Sequence, residues 1–264
     1  MKISARRRQI QEYLSEHEML TVEEAVNLFQ ASPATIRRDF LEISADGGAK
    51  RIRGGICRPV DKQDKMIPLT LREKWYSAEK RYLAWQLYTQ YLKYAHSFFI
   101  DGGSTTAHLG MFLKNPAQVV ITNSLPLCNI ILEMFPAGGG SEIITCGGHL
   151  YPESGLLLGP QAEAAISSYH ADITVLSARG ITASGIYNHN ELIAGINLRM
   201  TENSDKVILI ADHSKIGVTA MHKVCSLQKI EALFTTETAE NRNILDEIRA
   251  AGVKVFSEKL LPDQ

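Results

Sequence analysis

From Ser97 to Phe256 the chain repeats one alternation: a short apolar run, a small or polar cluster, then a stretch of helical periodicity. The apolar runs are SFFID (97–101), VVITN (119–123), SEIITCGG (141–148), ADITVLSARG (171–180), KVILIAD (206–212), EALFT (231–235) and VKVF (253–256). Runs this short read as strands, and SLPLCNIILEM, GPQAEAAISSY and AENRNILDEIRAAG between them read as helices. Strands that alternate with helices join by crossovers and build a mostly parallel sheet. The expected fold class is therefore α/β with a mostly parallel sheet, over residues 75–264.

In such sheets ligands bind beyond the carboxyl ends of the strands, and five strand ends here are small and polar. They read Asp101-Gly102-Gly103-Ser104-Thr105-Thr106, Thr122-Asn123-Ser124, Gly147-Gly148, Ser177-Ala178-Arg179-Gly180 and Asp212-His213-Ser214-Lys215. Glycine lets backbone N–H groups approach an anion, and hydroxyls at a helix start add donors. One such loop is ordinary turn chemistry. Five in register describe a pocket for a small phosphorylated or polyhydroxylated ligand. No P-loop and no Gly-x-Ser-x-Gly is present. Asp101, Asp212, His213 and Lys215 suit either hydroxyl binding or acid–base chemistry. His96, His108, His149, His170, His189 and His222 show no metal-ligand spacing, and no cofactor is expected.

Residues 1–57 read differently. Ile10, Tyr13 and Leu14 recur at helical spacing after Arg6–Arg8, predicting a helix over 4–17. Thr21 and Glu24 form a capping box for a second helix with Val22, Ala25, Val26 and Phe29 on one face. Gln30 and Ala31 make a turn. Ser32 is an N-cap and Pro33 stands at the first position of a third helix, which runs to about Ala45 with Ile36, Phe40 and Ile43 inward. This is the helix-turn-helix pattern, whose second helix enters the DNA major groove. Ala34, Thr35, Arg37 and Arg38 then face outward, beside Ser32, with Asp39 set to accept from an arginine. Lys50, Arg51 and Arg53 before Gly54-Gly55 read as a basic hairpin, a wing on the phosphate backbone.

Residues 1–58 hold ten Lys/Arg against eight Asp/Glu, and the remainder 18 against 21. With a pI near 6.7, any nucleic-acid role is local rather than general. The alternative for this segment is a helical interaction domain with a solvated basic face. Cys57, Cys128, Cys146 and Cys225 form no Cys-x-x-Cys pair. No apolar run approaches the ~18 residues of a membrane span, and the expectation is a cytoplasmic protein that meets no membrane. Residues 58–74, with Pro59 and Pro68, read as a linker. One helix is expected from Leu71 to about Tyr94, with Leu71, Trp75, Ala78, Tyr82, Trp85 and Leu87 as its core or dimer stripe.

SPATIRRDF…GGAKRIRGGI resembles the N-terminal signature of DeoR-family bacterial regulators, and IDGGSTTAHL, VITNSLPL, ITCGGHLY and LIADHSKIG resemble successive motifs of that family's effector domain. The resemblance covers nearly the whole chain in order and spacing. It implies a winged helix-turn-helix followed by an effector domain related to ribose-5-phosphate isomerase. It implies a homo-oligomeric repressor, a dimer or tetramer on double-stranded operator DNA, released by a sugar phosphate. GSTTAHLG, ITNSLPL and GITASGIY resemble the subgroup containing the ascorbate-utilisation repressor, which implies a sugar-acid phosphate. Arg53 stands where the family's wing commonly has histidine. Tyr151 and Asn197 stand where basic residues are frequent, and Arg179 where an acidic or neutral residue is common. Arg179 is therefore expected to supply ligand charge that Tyr151 and Asn197 do not. The alternative is a phosphosugar isomerase or deaminase with a fused interaction domain; a third reading, a nucleic-acid scaffold without ligand, leaves the five strand-end loops unexplained.

Overall fold

The computed structural model describes residues 3–17, 19–46, 49–52, 54–57 and 69–259. The chain divides into two compact units, Met1–Trp75 and Tyr76–Gln264. In the first, α1 (Ile3–Glu16), β1 (Met19–Thr21), α2 (Val22–Phe29), α3 (Pro33–Ala45), β2 (Lys50–Ile52), β3 (Gly55–Cys57) and α4 (Leu69–Lys74) follow in order. The Thr21 hydroxyl accepts from the Glu24 N–H while the Glu24 carboxylate accepts from the Thr21 N–H, so the capping box is complete. Ser32 accepts from the Thr35 N–H at 3.2 Å with Pro33 behind it, starting α3 where two devices agree. Ile10, Leu14, Leu20, Ala25, Ile36, Phe40, Ile43 and Ile56 are the core.

The hairpin β2–β3 is joined by β1, giving the order β1-β3-β2. The third strand was not foreseen. Three residues carry no readable period, and β1 exists because Met19–Thr21 pairs with Gly55–Cys57, over thirty residues away. Gly47, Gly48 and Arg53 lie outside the described residues, as do 58–68 of the expected linker, while 69–74 of that stretch form α4.

In the second unit, α5 (Ser77–Gln90) precedes β4 (Ser97–Ile100), β5 (Val119–Thr122), α6 (Leu125–Met134), β6 (Glu142–Thr145), β7 (His149–Tyr151), β8 (Leu156–Leu158), α7 (Pro160–Ser167), β9 (Ala171–Leu176), β10 (Gly180–Thr182), β11 (Gly185–Asn188), α8 (Glu191–Glu202), β12 (Ser204–Ile210), β13 (His222–Cys225), β14 (Ala232–Glu237), α9 (Arg242–Ala250) and β15 (Lys254–Lys259). Seven strands form one sheet in the order β15-β14-β12-β9-β4-β5-β6, every pairing parallel. Phe98, Ile100, Ile173, Val175, Ile208, Ile210 and Phe234 pack with Leu83, Leu87, Leu127 and Ile131 of α5 and α6. On the other face the Thr174 hydroxyl donates to the Met200 carbonyl of α8. Burial on both faces accounts for near-continuous apolar strands. The antiparallel sheet β10-β11-β13 and the hairpin β7–β8 are not among the expected strands, whose series passes over residues 149–158 and 181–188.

The expected single helix from Leu71 to Tyr94 is two. Tyr76 has φ 55°, a left-handed conformation that ends one helix before the next begins. The break resets the helical phase. The buried face of α5 is Lys80, Leu83, Ala84 and Leu87, while Tyr82 and Trp85 of the expected stripe are 39% and 47% exposed.

Candidate nucleic-acid interface and candidate ligand site

On α3, Ile36, Asp39, Phe40 and Ile43 are buried, so Ala34, Arg37 and Arg38 fall on the solvent side. Arg38 pairs loosely with Glu42 at 3.7 Å, and Arg37 makes no ion pair among the described residues. The Thr35 hydroxyl is engaged by Ser32 at 2.8 Å. Lys50 and Arg51 are exposed on β2, and Gly54, φ +78°, turns the hairpin.

Asp39 does meet arginines, but not its neighbours. Its carboxylate accepts from Arg6 and from Arg7, both on α1, and Arg7 reaches on to Glu42. Asp39 is 2% exposed and Arg6 only 7%. Two of the three arginines of the first basic cluster are thereby committed to holding α1 against α3. Paired with two carboxylates, the Arg7 guanidinium is held above its ordinary range.

In the second unit β4 and β9 are adjacent, and the chain winds outward from them in opposite directions. That is the topological switch point, where crossovers diverge and leave a crevice at the carboxyl ends. The 101–106 loop follows β4 and the 177–180 loop follows β9, joined at their base by the Asp101 N–H to the Val175 carbonyl, 3.0 Å. A Cβ on Gly103 would stand 2.3 Å from the Ser177 hydroxyl. A side chain there would have to displace that hydroxyl, so glycine keeps the two loops close.

The loop residues divide by what their side chains do. Asn123 is fully buried; its carbonyl oxygen accepts from the Gly102 N–H at 2.9 Å. Ser124 caps α6 through the Leu127 N–H, and the Thr106 hydroxyl donates to the Gly103 carbonyl. These three shape the loop. The turn after it is a 3-10 helix, Thr106–Met111. Gly147 and Gly148 have φ +64° and +106°, and Gly148 packs against the Leu158 carbonyl and Ala162. Ser104 and Thr105 are buried, while Lys215 and Arg179 are half-buried. Asn197, on α8, is 1% exposed, and neither end of its amide has a hydrogen-bond partner among the described residues.

The residue sequence reasoning missed is Lys80. It is 2% exposed, its Nζ donates to the Ser104 hydroxyl at 3.0 Å, and it stands 3.9 Å from the Asp212 carboxylate. It joins the loops after β4 and β12. Its neighbour Glu79 accepts from the His213 N–H at 2.9 Å and meets the His213 ring at 2.9 Å, with Tyr76 edge-on to that ring. The signal was a lysine at i−3, i−4 and i−7 from Leu83, Ala84 and Leu87, hidden by the misplaced helix phase. Lys80 and Arg81 also face His108. Burial, reinforced by those charges, lowers its ring to about 4, so it is neutral at pH 7. Burial pushes the Cys146 thiol up to about 11, which leaves it protonated and a poor nucleophile. Among the described residues no group of acidic, His or Cys side chains could hold a metal ion, and no helix is long and apolar enough to cross a membrane.

Comparison with known families decides what joins these two units. Residues 6–60 match the DeoR-like helix-turn-helix domain, and residues 76–237 match the DeoR C terminal sensor domain. The chain belongs to the DeoR family. Named relatives match over almost their whole length. A protein of Escherichia coli O157:H7 named for repression of the aga operon is 30% identical, covering 96% of this chain and 93% of its own. The HTH-type transcriptional repressor GlcR of Bacillus subtilis is 29% identical over 94% and 93%. The HTH-type transcriptional regulator UlaR of Escherichia coli is 30% identical over 93% and 95%. Among solved structures, ribose 5-phosphate isomerase A from Methanocaldococcus jannaschii aligns with 53% of this chain and 54% of its own, at 13% identity and a TM-score of 0.37.

Proposed function

We propose that this DeoR-family chain is a cytoplasmic repressor of a carbohydrate-utilisation operon. It binds double-stranded operator DNA and leaves it when a phosphorylated sugar or sugar acid occupies the sensor domain. The observation that carries the reading is the pairing of both family domains, in order, on one chain. Ala34, Thr35, Arg37 and Arg38 meet the major groove, and Lys50, Arg51 and Arg53 hold the wing on phosphate. In the sensor, the Gly102–Thr105 backbone and Lys80 receive the phosphate at the β4/β9 switch point. Asp101, Asp212 and Lys215 take the polar remainder of the ligand. Asn123, Ser124, Thr106, Gly147 and Gly148 hold the loops in shape, and Ser32 starts the recognition helix.

One helix-turn-helix makes few phosphate contacts, so tight binding calls for at least a homodimer on half-sites ~34 Å apart. Induction requires the effector to favour the DNA-incompetent state by ~1–3 kcal/mol, a typical coupling energy. Arg179 has no ion pair among the described residues, and it supplies charge to an anionic ligand. Arg179→Ala should weaken effector binding about tenfold and leave operator affinity unchanged; equal effector affinity would remove Arg179 from the site.

The deciding experiment is a gel shift on the intergenic DNA upstream of the protein's own gene, titrated with sugar and sugar-acid phosphates. Specific binding released by one compound is the expected outcome. Turnover of a phosphosugar without specific DNA binding would assign the chain to the isomerases instead.

A further inference from the structure

The solvent face of α3 is not uniformly polar. Leu41 is 48% exposed in the middle of it. Ala34, Leu41 and Ala45 are all exposed and fall at i, i+7 and i+11, which places them on one stripe of the helix. Arg37 and Arg38 stand at i+3 and i+4, one on each side of that stripe. Leu41 belongs to neither the core of this unit nor the face toward α1, which Asp39 and Glu42 occupy through Arg6 and Arg7.

A leucine left in water between two arginines is explained by what the arginines bind. In the major groove the one apolar group on a base edge is the thymine C5-methyl, and the group that takes a bidentate arginine is guanine O6/N7. Resting on the DNA-binding reading above, we propose that Ala34 and Leu41 read thymine methyls in the operator, between guanines or phosphates held by Arg37 and Arg38. The rise from Ala34 to Leu41 is about 10 Å at ~1.5 Å per residue. That confines the thymines to about three successive base-pair steps of one half-site, at ~3.4 Å each. Charge complementarity selects DNA over a second copy of the chain as the occupant, because the stripe is bordered by like charges that two copies would bring together.

The test uses the full chain and duplexes it selects from a random pool. Selected half-sites should carry thymine within a window of about three base-pair steps beside guanine. Replacing those thymines by deoxyuridine removes the methyl and keeps pairing, charge and sugar. Affinity should fall about fourfold per methyl, the value of one buried carbon. Leu41→Ala should bind the thymine duplex as weakly as the wild type binds the deoxyuridine duplex, and should lose its sensitivity to deoxyuridine at one position. Leu41 is on the surface, so the variant folds, and the deoxyuridine arm needs no variant at all. Selected sites without thymine, or equal affinity for both duplexes with specificity retained, would overturn the proposal alone. A Leu41→Ala variant that changes oligomer mass and not deoxyuridine sensitivity would assign the stripe to contact between copies and overturn it as well. No enrichment of any duplex would overturn the DNA-binding reading itself.

Discussion

At the scale of single residues, the most consequential side chain is one the pattern of the sequence concealed. Lys80 is buried, and the Asp212 Oδ2 it faces has no hydrogen-bond donor among the described residues. Removing the cation while the carboxylate stays buried costs about 3–5 kcal/mol, more than the pair contributes against an apolar replacement. Lys80→Met should lower urea stability of the full chain by that amount, and adding Asp212→Asn should recover part of it. Additive losses would show that the two groups do not act together. His108 sets a pH dependence. Its folded value near 4 lies below the ordinary 6.5, so the unfolded chain binds more protons between those values. The neutral ring's contribution is therefore complete above pH 6.5 and is lost as pH falls toward 4. Partial exposure limits the loss to about 2 kcal/mol. Thermal unfolding from pH 7 to 4.5 should cost the wild type more than His108→Leu; parallel losses would clear the ring of responsibility.

At the scale of elements, local signals and tertiary signals separate cleanly. The caps of α2 and α3 were legible because Thr21, Glu24, Ser32 and Pro33 act within four residues of where they stand. Ser32→Ala should cost about 1 kcal/mol and reduce operator affinity by loosening the first turn of α3. The partner of Asp39 was not legible, because it comes from a different helix 32 and 33 residues earlier. Asp39→Ala would strand Arg6 in a buried position at a cost of about 3–5 kcal/mol. Circular dichroism melts should show that loss, with DNA binding abolished although Arg37 and Arg38 are untouched. If Asp39→Ala binds DNA with normal affinity, the network does not position the recognition helix. The helix before β4 was misread for a related reason: an unbroken apolar period was assumed across Tyr76, whose positive φ no propensity scale announces.

At the scale of the whole molecule, the near-zero net charge of −1 confines the DNA interaction to the few basic groups of the first unit. The logarithm of operator affinity should then fall linearly with the logarithm of salt, and Arg37→Ala and Arg38→Ala should each lower the slope by about one if the arginine holds a phosphate. An unchanged slope with relaxed sequence preference would mean that the arginine reads a base instead. Fluorescence anisotropy across salt concentrations separates these outcomes.

By itself the sequence determined the division of labour: a capped helix-turn-helix with a basic hairpin, then strands that alternate with helices and must pair in parallel. Both follow from interactions spanning a few residues, namely caps, turn chemistry and the periods 2 and 3.6, which leave their mark on adjacent letters. Tertiary structure alone decided the rest. It chose the strand order that puts β4 beside β9, and so which of five similar loops meet at the crevice. It added β1, whose three residues are a strand only because β3 lies alongside. It brought Lys80 to Ser104 and Asp212, and Arg6 to Asp39. Each of those contacts joins groups 24 to 132 positions apart. The free energy of closing such loops is met by burial summed over the whole core, and no local window of sequence carries that sum.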